Sequence, residues 1–244
     1  MSHSHHNPME QFKIKTIMEA KLFGLNVSLT NSSLMAMIIL LSVGLFFLVS
    51  TRKKSLIPSR CQLICEGFYN FVIRMLGDNI PHSGLKFAPV IFSVFVFILS
   101  CNLFGMIPYS FTVTSHLATT MVFAGFVFFV VVGVGVAKSG LAYFAHFAPK
   151  GIPSIMIPFM FVIEFFSFLV RPFTLSVRLA ANMTAGHTVL KVIAGLVAPL
   201  SFFGVVPLLF LSMLTAFEIF VALLQAYIFS LLTCLYINES YSHH

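Results

Sequence analysis

Charge is what this chain has least of. Only 9% of its 244 residues are Asp, Glu, Lys or Arg, against roughly 25% in a soluble domain. With 59% hydrophobic residues and a mean hydropathy of +1.00, this scarcity excludes a water-soluble domain and leaves an integral membrane protein. Tryptophan is absent, and the aromatic content is dominated by 30 phenylalanines. Acids are scarcer than bases, 7 against 14, for a formal net charge of +7. The excess does not read as a nucleic-acid surface. The bases form no amphipathic or aromatic-interleaved patch and instead punctuate apolar runs, as topology signals do. Cysteine is limited to Cys61, Cys65, Cys101 and Cys234. The first two have no Cys or His partner at metal-ligand spacing and the others lie in apolar runs, so all four are expected to be reduced thiols, with no metal and no cofactor. His3, His5, His6, His243 and His244 read as solvated tails. The N-terminus lacks the apolar core of a signal peptide and the Arg-rich, acid-free pattern of a transit peptide, so no removable targeting segment is expected. No internal repeat is visible, which counts against a secondary transporter. No nucleophile–base pair stands out, which counts against an enzyme active site.

What is present is a series of long apolar runs. After a mixed N-terminal segment, residues 1–33, the uncharged run 34–50 is just long enough for a membrane span. It stops at Thr51, Arg52, Lys53 and Lys54. Over residues 60–80, Leu63, Ile64, Phe68, Phe71, Val72, Met75 and Leu76 recur at helical spacing with Arg60, Glu66, Asn70, Arg74 and Asp78 between them. That pattern predicts an amphipathic helix lying on the membrane surface. Residues 87–107, which include Asn102, and residues 117–137 are further spans. The loop between them, PYSFTVTSH, carries no Lys or Arg. Two longer stretches follow, 156–197 and 203–237, with Pro199, Gly204 and Pro207 marking the turn between them. A helix over residues 156–197 would be about 60 Å long, twice the thickness of a hydrocarbon core of about 30 Å. It must therefore be broken, with Pro172 and Gly186 as the candidate points, or strongly tilted. The expected architecture is an all-α integral membrane protein, a single unit of five membrane-embedded helices and one amphipathic surface helix, the last two spans forming a long tilted hairpin. Arg52, Lys53, Lys54, Arg60, Arg74 and Lys86 in residues 51–86, with Lys138 and Lys150 in residues 138–155, put those loops on the cytoplasmic or matrix side. The N-terminus is then outside and the C-terminus inside.

Six ionisable groups fall within the last two spans: Glu164, Arg171, Arg178, His187, Lys191 and Glu218. Each costs at least roughly 2.5–3.5 kcal/mol at membrane depth, so a bystander is not expected there. At about 100° per residue, Glu164, Ser167, Arg171, Thr174, Asn182 and Ala185 all lie within about 40° of Arg178, while His187 lies about 180° away. One helix thus carries a polar stripe and a separate polar point opposite it. Glu164 and Arg171 are two turns apart and fit a structural ion pair. Lys191 fits a side chain snorkelling to the interface. Arg178 has no acid within one turn, so its counter-charge must come from another helix or another chain. Glu218 and Gln225 share a face of the last span, and Tyr227 and Tyr236 add polar tips.

The stretch RLAANMTAGH, residues 178–187, resembles the signature of the a subunit of F-type ATP synthase, the proton-channel subunit of the membrane sector. Further resemblances run along the chain: NPMEQF (7–12), NLFGMIP (102–108), FVIEFFSFLVRPFTLSVR (161–178) and EIFVALLQAYIF (218–229). The pairing of His187 with Glu218, where many bacterial members have the two residue types exchanged, resembles the alphaproteobacterial and mitochondrial branch. The terminal SYSHH, read as a turn, departs from the family. The resemblance implies that this chain is itself non-catalytic. It implies a tilted hairpin against a rotating ring of c subunits, each with a membrane-buried carboxylate, and peripheral-stalk b subunits as further partners. Arg178 would draw the proton off each passing carboxylate and separate two aqueous half-channels. His187 and Glu218 would form a proton relay in one of them. Asn182 and Gln225 would orient Arg178 and its waters, and Glu164 belongs to the same translocation set, with Arg171 and Lys191 structural. The translocated ion is expected to be a proton; a sodium-coupled relative would differ chiefly in the ring. The implied location is a bacterial or mitochondrial inner membrane.

Overall fold

Long uncharged runs leave the backbone no partner but itself in a bilayer, and they fold as helices. The computed structural model of the chain describes residues 16–19, 21–22, 25–26, 28–52, 58–79, 84–107, 110–140, 156–197, 199 and 201–242. Among these, six α-helices follow in order: α1 Asn31–Arg52, α2 Arg60–Asn79, α3 Ala88–Gly105, α4 Leu117–Ser139, α5 Ile157–Val197 and α6 Val205–Ser242. All but α2 are long and apolar enough to cross a membrane. The NPMEQF stretch, the histidine tails, Lys53, Lys54 and Lys150 lie outside the described residues.

Before α1 the chain adds two small antiparallel ladders that the sequence reading did not contain. Thr16–Met18 (β1) pairs with Leu29–Thr30 (β4), and Lys21–Leu22 (β2) pairs with Leu25–Asn26 (β3). They are too short to show a period of two. Helix α1 starts earlier than residue 34 because Thr30 and Ser33 cap it reciprocally. The Ser33 N–H donates to Thr30 Oγ1 at 3.3 Å, and the Thr30 N–H donates to Ser33 Oγ at 2.9 Å, which satisfies donors that a helix start leaves unpaired.

Only part of the apolar face read for α2 is buried. Cys65, Val72, Met75 and Leu76 are buried, whereas Leu63, Ile64 and Phe71 are exposed. The helix is docked on the bundle: Phe71 packs 5.5 Å from Phe95 and 5.7 Å from Tyr227, and Tyr69 meets Phe92 at 5.8 Å. Contact with α3 and α6 decides which part of the periodic apolar face is buried.

The core gathers Ile91, Phe95, Ile98 and Leu99 of α3, Val127 and Val131 of α4, Leu175 and Leu179 of α5, and Ala226, Phe229 and Ile237 of α6. The outer faces are as apolar as this core: Leu41 and Leu48 of α1 are more than half exposed, as a surface solvated by lipid permits. Of the cysteines, Cys65, Cys101 and Cys234 are buried and all four are free thiols.

Helix α5 runs 41 residues without interruption through Pro172 and Gly186. Of the two alternatives, broken or tilted, the break is absent. A continuous helix of that length is about 60 Å long, so it must lie oblique to a bilayer normal. Helix α6 packs along it and continues to Ser242. It therefore passes residue 237 and absorbs the first part of the expected SYSHH turn, because no Pro or Gly follows Pro207 to stop it.

The connector between α3 and α4 is not a simple surface loop. Thr112, Val113 and Thr114 are all at most 4% exposed, and Val113–Ser115 forms one 3-10 turn. Irregular backbone is tolerated there because it is enclosed by protein and hydrogen-bonded. Ser115 Oγ donates to Thr112 O at 2.7 Å, and Thr114 Oγ1 donates to Asn102 Oδ1 at 2.9 Å.

Candidate functional site

Helix α5 presents two chemically different faces. On the outward one, Arg178 is exposed, with Thr174, Ala181 and Ala185 exposed along the same strip. Among the described residues Arg178 makes no ion pair and no hydrogen bond. Further along the helix, Arg171 Nη2 lies 3.9 Å from Glu164 Oε1, and its guanidinium sits 5.2 Å above the ring of Tyr236. The expected intrahelical pair is thus present, with an aromatic partner from α6. The stripe read from the sequence is divided: Glu164 and Arg171 neutralise each other, and Arg178 is left for something outside the fold.

Asn182, one turn after Arg178, points toward α6. Its Nδ2 donates to Gln225 Oε1 at 3.0 Å. Gln225 is 1% exposed, and its Nε2 has no hydrogen-bond partner among the described residues. The two amides hold each other, and Nε2 of Gln225 stays buried without an acceptor among the described residues. Neither amide bonds Arg178 directly among the described residues. Lys191 is exposed toward the other end of α5.

On the inward face, His187 meets two elements at once. Its Nε2 is 3.7 Å from Glu218 Oε1 of α6 and 3.2 Å from Thr112 Oγ1 of the connector. Glu218 is 5% exposed, and neither of its carboxylate oxygens has a hydrogen-bond partner among the described residues. An ionised carboxylate so placed is costly unless compensated, so a nearby proton donor or a proton of its own is the natural complement. Gly186 makes the approach possible. A Cβ there would stand 2.6 Å from Glu218 Oε1 and 2.9 Å from Cδ, closer than van der Waals contact allows. The absence of a side chain at Gly186 is what lets the carboxylate lie against α5.

The cluster extends into α3. Asn102 is fully buried; it accepts from Thr114 and donates through Nδ2 to Ala222 O at 3.4 Å. Thr184 Oγ1 donates to Ser115 O at 3.0 Å. The connector is therefore pinned to α3 and α5 beside His187, and Asn102 ties α3 to α6. The sequence reading brought His187 and Glu218 together correctly and missed Thr112 and Gly186 as parts of this site. The available signal was the run of hydroxyls at Ser110, Thr112, Thr114 and Ser115 in a stretch without charge.

Comparison with known proteins identifies the family. A family model described as "ATP synthase A chain" matches residues 32–238. The chain is 48% identical over 236 residues to a protein named ATP synthase subunit a from Wolbachia sp. subsp. Drosophila simulans (strain wRi), covering 96% of this chain and 98% of that one. It is 46% identical over 240 residues to the protein of the same name from Pelagibacter ubique, covering 98% of each. For that of Ehrlichia chaffeensis the identity is 43% over 240 residues, covering 98% of this chain and 99% of the relative. Alphaproteobacteria are among these relatives, as the His187 and Glu218 arrangement led one to expect.

Proposed function

The chain belongs to the ATP synthase A chain family, and on that premise we propose that it conducts protons across the membrane to and from a ring of partner subunits. The observation that carries the proposal is Arg178: a permanent cation on the outward face of a long apolar helix, exposed and without a partner in its own chain among the described residues. The complement to such a group is an anion that arrives from outside. A membrane-buried carboxylate on each c subunit of a ring fits. At about 4 Å and an effective dielectric near 20, Arg178 would favour its ionised form by roughly 4 kcal/mol. The carboxylate gives up its proton as it reaches Arg178 and takes up another beyond it. Because arginine does not deprotonate in proteins, it also stops protons crossing directly from one half-channel to the other.

The buried pair supplies one half-channel. His187 accepts or releases a proton at Nε2, and Glu218 takes up or balances that charge across the 3.7 Å separation. Asn182 and Gln225, bonded to each other, border the space between the pair and Arg178, and Glu164 and Arg171 steady the helix on the other side. The smooth strip of Thr174, Ala181 and Ala185 lets a ring surface slide past α5. No bond other than those of transferred protons changes in this chain; each proton crossing releases about 2.3 kcal/mol per 100 mV of potential, and catalysis belongs to the complex it serves. Peripheral-stalk b subunits hold it still against the ring. The proposed orientation has the N-terminus outside and the C-terminus inside, in an inner membrane.

Replacing Arg178 by alanine tests the reading. Proton-driven ATP synthesis in membrane vesicles should fall to background while ATP hydrolysis by the detached soluble sector persists. Synthesis near the wild-type rate would overturn it. Labelling of single cysteines should place residues 58–59 and 242 on one side of the membrane and residues 110–111 on the other.

A further inference from the structure

Thr112 of the connector meets His187, 75 positions away in sequence. Its surroundings ask a question of proton counting. A threonine hydroxyl has one proton to donate and lone pairs to accept. Thr112 Oγ1 lies 3.2 Å from His187 Nε2 and 3.4 Å from the carbonyl oxygen of Gly105, the last residue of α3. It cannot donate to both. When Nε2 carries a proton, the imidazole donates to Thr112, and the hydroxyl proton turns to Gly105 O. When Nε2 is bare, the hydroxyl turns back and donates to its lone pair. Either way Nε2 keeps a partner.

At its other end the swap costs little. Gly105 O is a helix-end carbonyl, one of those without an intrahelical donor, and its contact with Thr112 is long at 3.4 Å; Ser110 Oγ lies 3.2 Å from it but has its single proton on Phe104 O at 2.7 Å. The close seating is possible only because position 105 has no side chain: a Cβ on Gly105 would lie 2.7 Å from Thr112 Cγ2. Thr112 itself is 4% exposed, so bulk water does not replace it.

We infer that Thr112 is a positioning residue for the proton relay, whose hydroxyl reverses its donor role as His187 gains and loses a proton at Nε2. The inference rests on the proposed function above and adds a residue to it. The charged and titratable groups around His187 are Glu218 on α6 and Lys191 one turn along α5, with Arg178 on the opposite face of that helix. The connector contributes His116, stacked on Phe111 at 5.1 Å. Helix α3 contributes the buried thiol of Cys101, and residues 117–137 of α4 contribute none.

The sign of the effect follows from which form of His187 loses more. Removal of the hydroxyl takes the donor from the bare nitrogen, whereas the protonated ring still has the Glu218 carboxylate beside it. The protonated form is therefore favoured, and release of the proton requires higher pH. ATP-driven proton pumping by the assembled enzyme in inverted vesicles should be measured from about pH 5.5 to pH 9, the range in which histidine relays respond. In Thr112→Val, which keeps the shape without the hydroxyl, the acid limb of the profile should move up by about half to one pH unit, the size of one lost neutral hydrogen bond. Thr112→Ser should keep the wild-type profile. If Thr112→Val does not assemble, Thr112→Ala removes the hydroxyl without adding bulk and should show the same shift. A profile that superimposes on wild type without the hydroxyl, or a Thr112→Ser profile shifted equally, overturns the inference. Glu218→Gln in the same assay separates it from its premise. Undiminished pumping in that variant removes the relay itself, whereas lost pumping beside an unshifted Thr112→Val profile removes only the role of Thr112.

Discussion

The two faces of α5 carry charge in opposite ways. Arg178 is exposed and has no partner in its chain among the described residues; His187, on the other side of the same helix, is enclosed between Glu218 and Thr112. A membrane helix can keep a permanent cation exposed only if something outside the fold completes it. It can keep a group that gains and loses a proton only where both forms find partners. The difference teaches which face is finished within the chain and which, on the proposed function, is left for a partner subunit. Substitutions on the outer face should therefore act on coupling to a partner, and those on the inner face on the rate and pH dependence of proton supply.

The largest effect is expected where the outer face depends on a single group. Arg178→Lys keeps a cation but replaces a delocalised, permanently charged guanidinium with one that loses its proton readily when desolvated. Proton-driven ATP synthesis should drop on the order of 100-fold, a loss typical of removing a well-placed charge from a charge-stabilising site. Rates within a factor of about three would show that charge alone suffices and blur the distinction between the faces.

Next come His187 and Glu218. Glu218→Gln should slow proton pumping by at least about tenfold and shift its pH optimum, since a residue positioned for proton transfer contributes on that scale. The exchange His187→Glu with Glu218→His restores an acid–imidazole pair and should recover more activity than the two single changes imply, with a coupling of about 0.5–3 kcal/mol. Strict additivity in vesicle pumping assays would mean that the 3.7 Å approach is not a working pair.

A smaller effect is expected at Gly186. Gly186→Ala would drive a methyl against the Glu218 carboxylate, since a Cβ would come within 2.6 Å of Oε1. Displacing that group should reduce pumping several-fold, on the scale of the roughly 1–3 kcal/mol that overpacking costs. Gly195→Ala on the same helix, where a Cβ would meet nothing within 4 Å, is the control and should leave pumping unchanged. Equal effects at the two glycines would assign both to helix backbone behaviour rather than to the site.

The smallest change is expected at Arg171. Its ion pair with Glu164 is long, at 3.9 Å, and partly exposed, so the pair contributes at most about 1 kcal/mol, helped by the ring of Tyr236. Arg171→Ala should lower the recovery of assembled complex by no more than a few-fold while the pH profile of the remaining complex stays in place. A shifted profile would move Arg171 into the proton path.

Much of this was legible before any coordinates. The five spans follow from runs such as 117–137, which carry no charge, because a bilayer accepts only helices or closed barrels. The opposition of Arg178 and His187 follows from their spacing along one helix, since 3.6 residues per turn sets the angle between two side chains whatever surrounds them. That Arg178 must look beyond its own helix for an acid followed from the absence of one within a turn, and among the described residues it pairs with none. The intrahelical pair of Glu164 and Arg171 was readable in the same way.

What remained to the tertiary structure involves groups distant in sequence or faces chosen by a neighbour. Periodicity put Leu63, Ile64, Phe71, Val72, Met75 and Leu76 on one apolar face of α2, and docking on α3 and α6 buried only Val72, Met75 and Leu76 of these, with Cys65. Nothing local marks Gly186 as the seat of a carboxylate from α6, or Thr112 as the partner of a histidine 75 residues away, because a glycine and a threonine have no periodicity of their own to read. The sequence by itself determined that the chain lives in a membrane as long helices, and that one of them carries a lone arginine opposite a histidine. Only the packing of α3, the connector, α5 and α6 decided which groups that histidine faces, since a helix sets the direction in which a side chain points and the fold determines what it meets there.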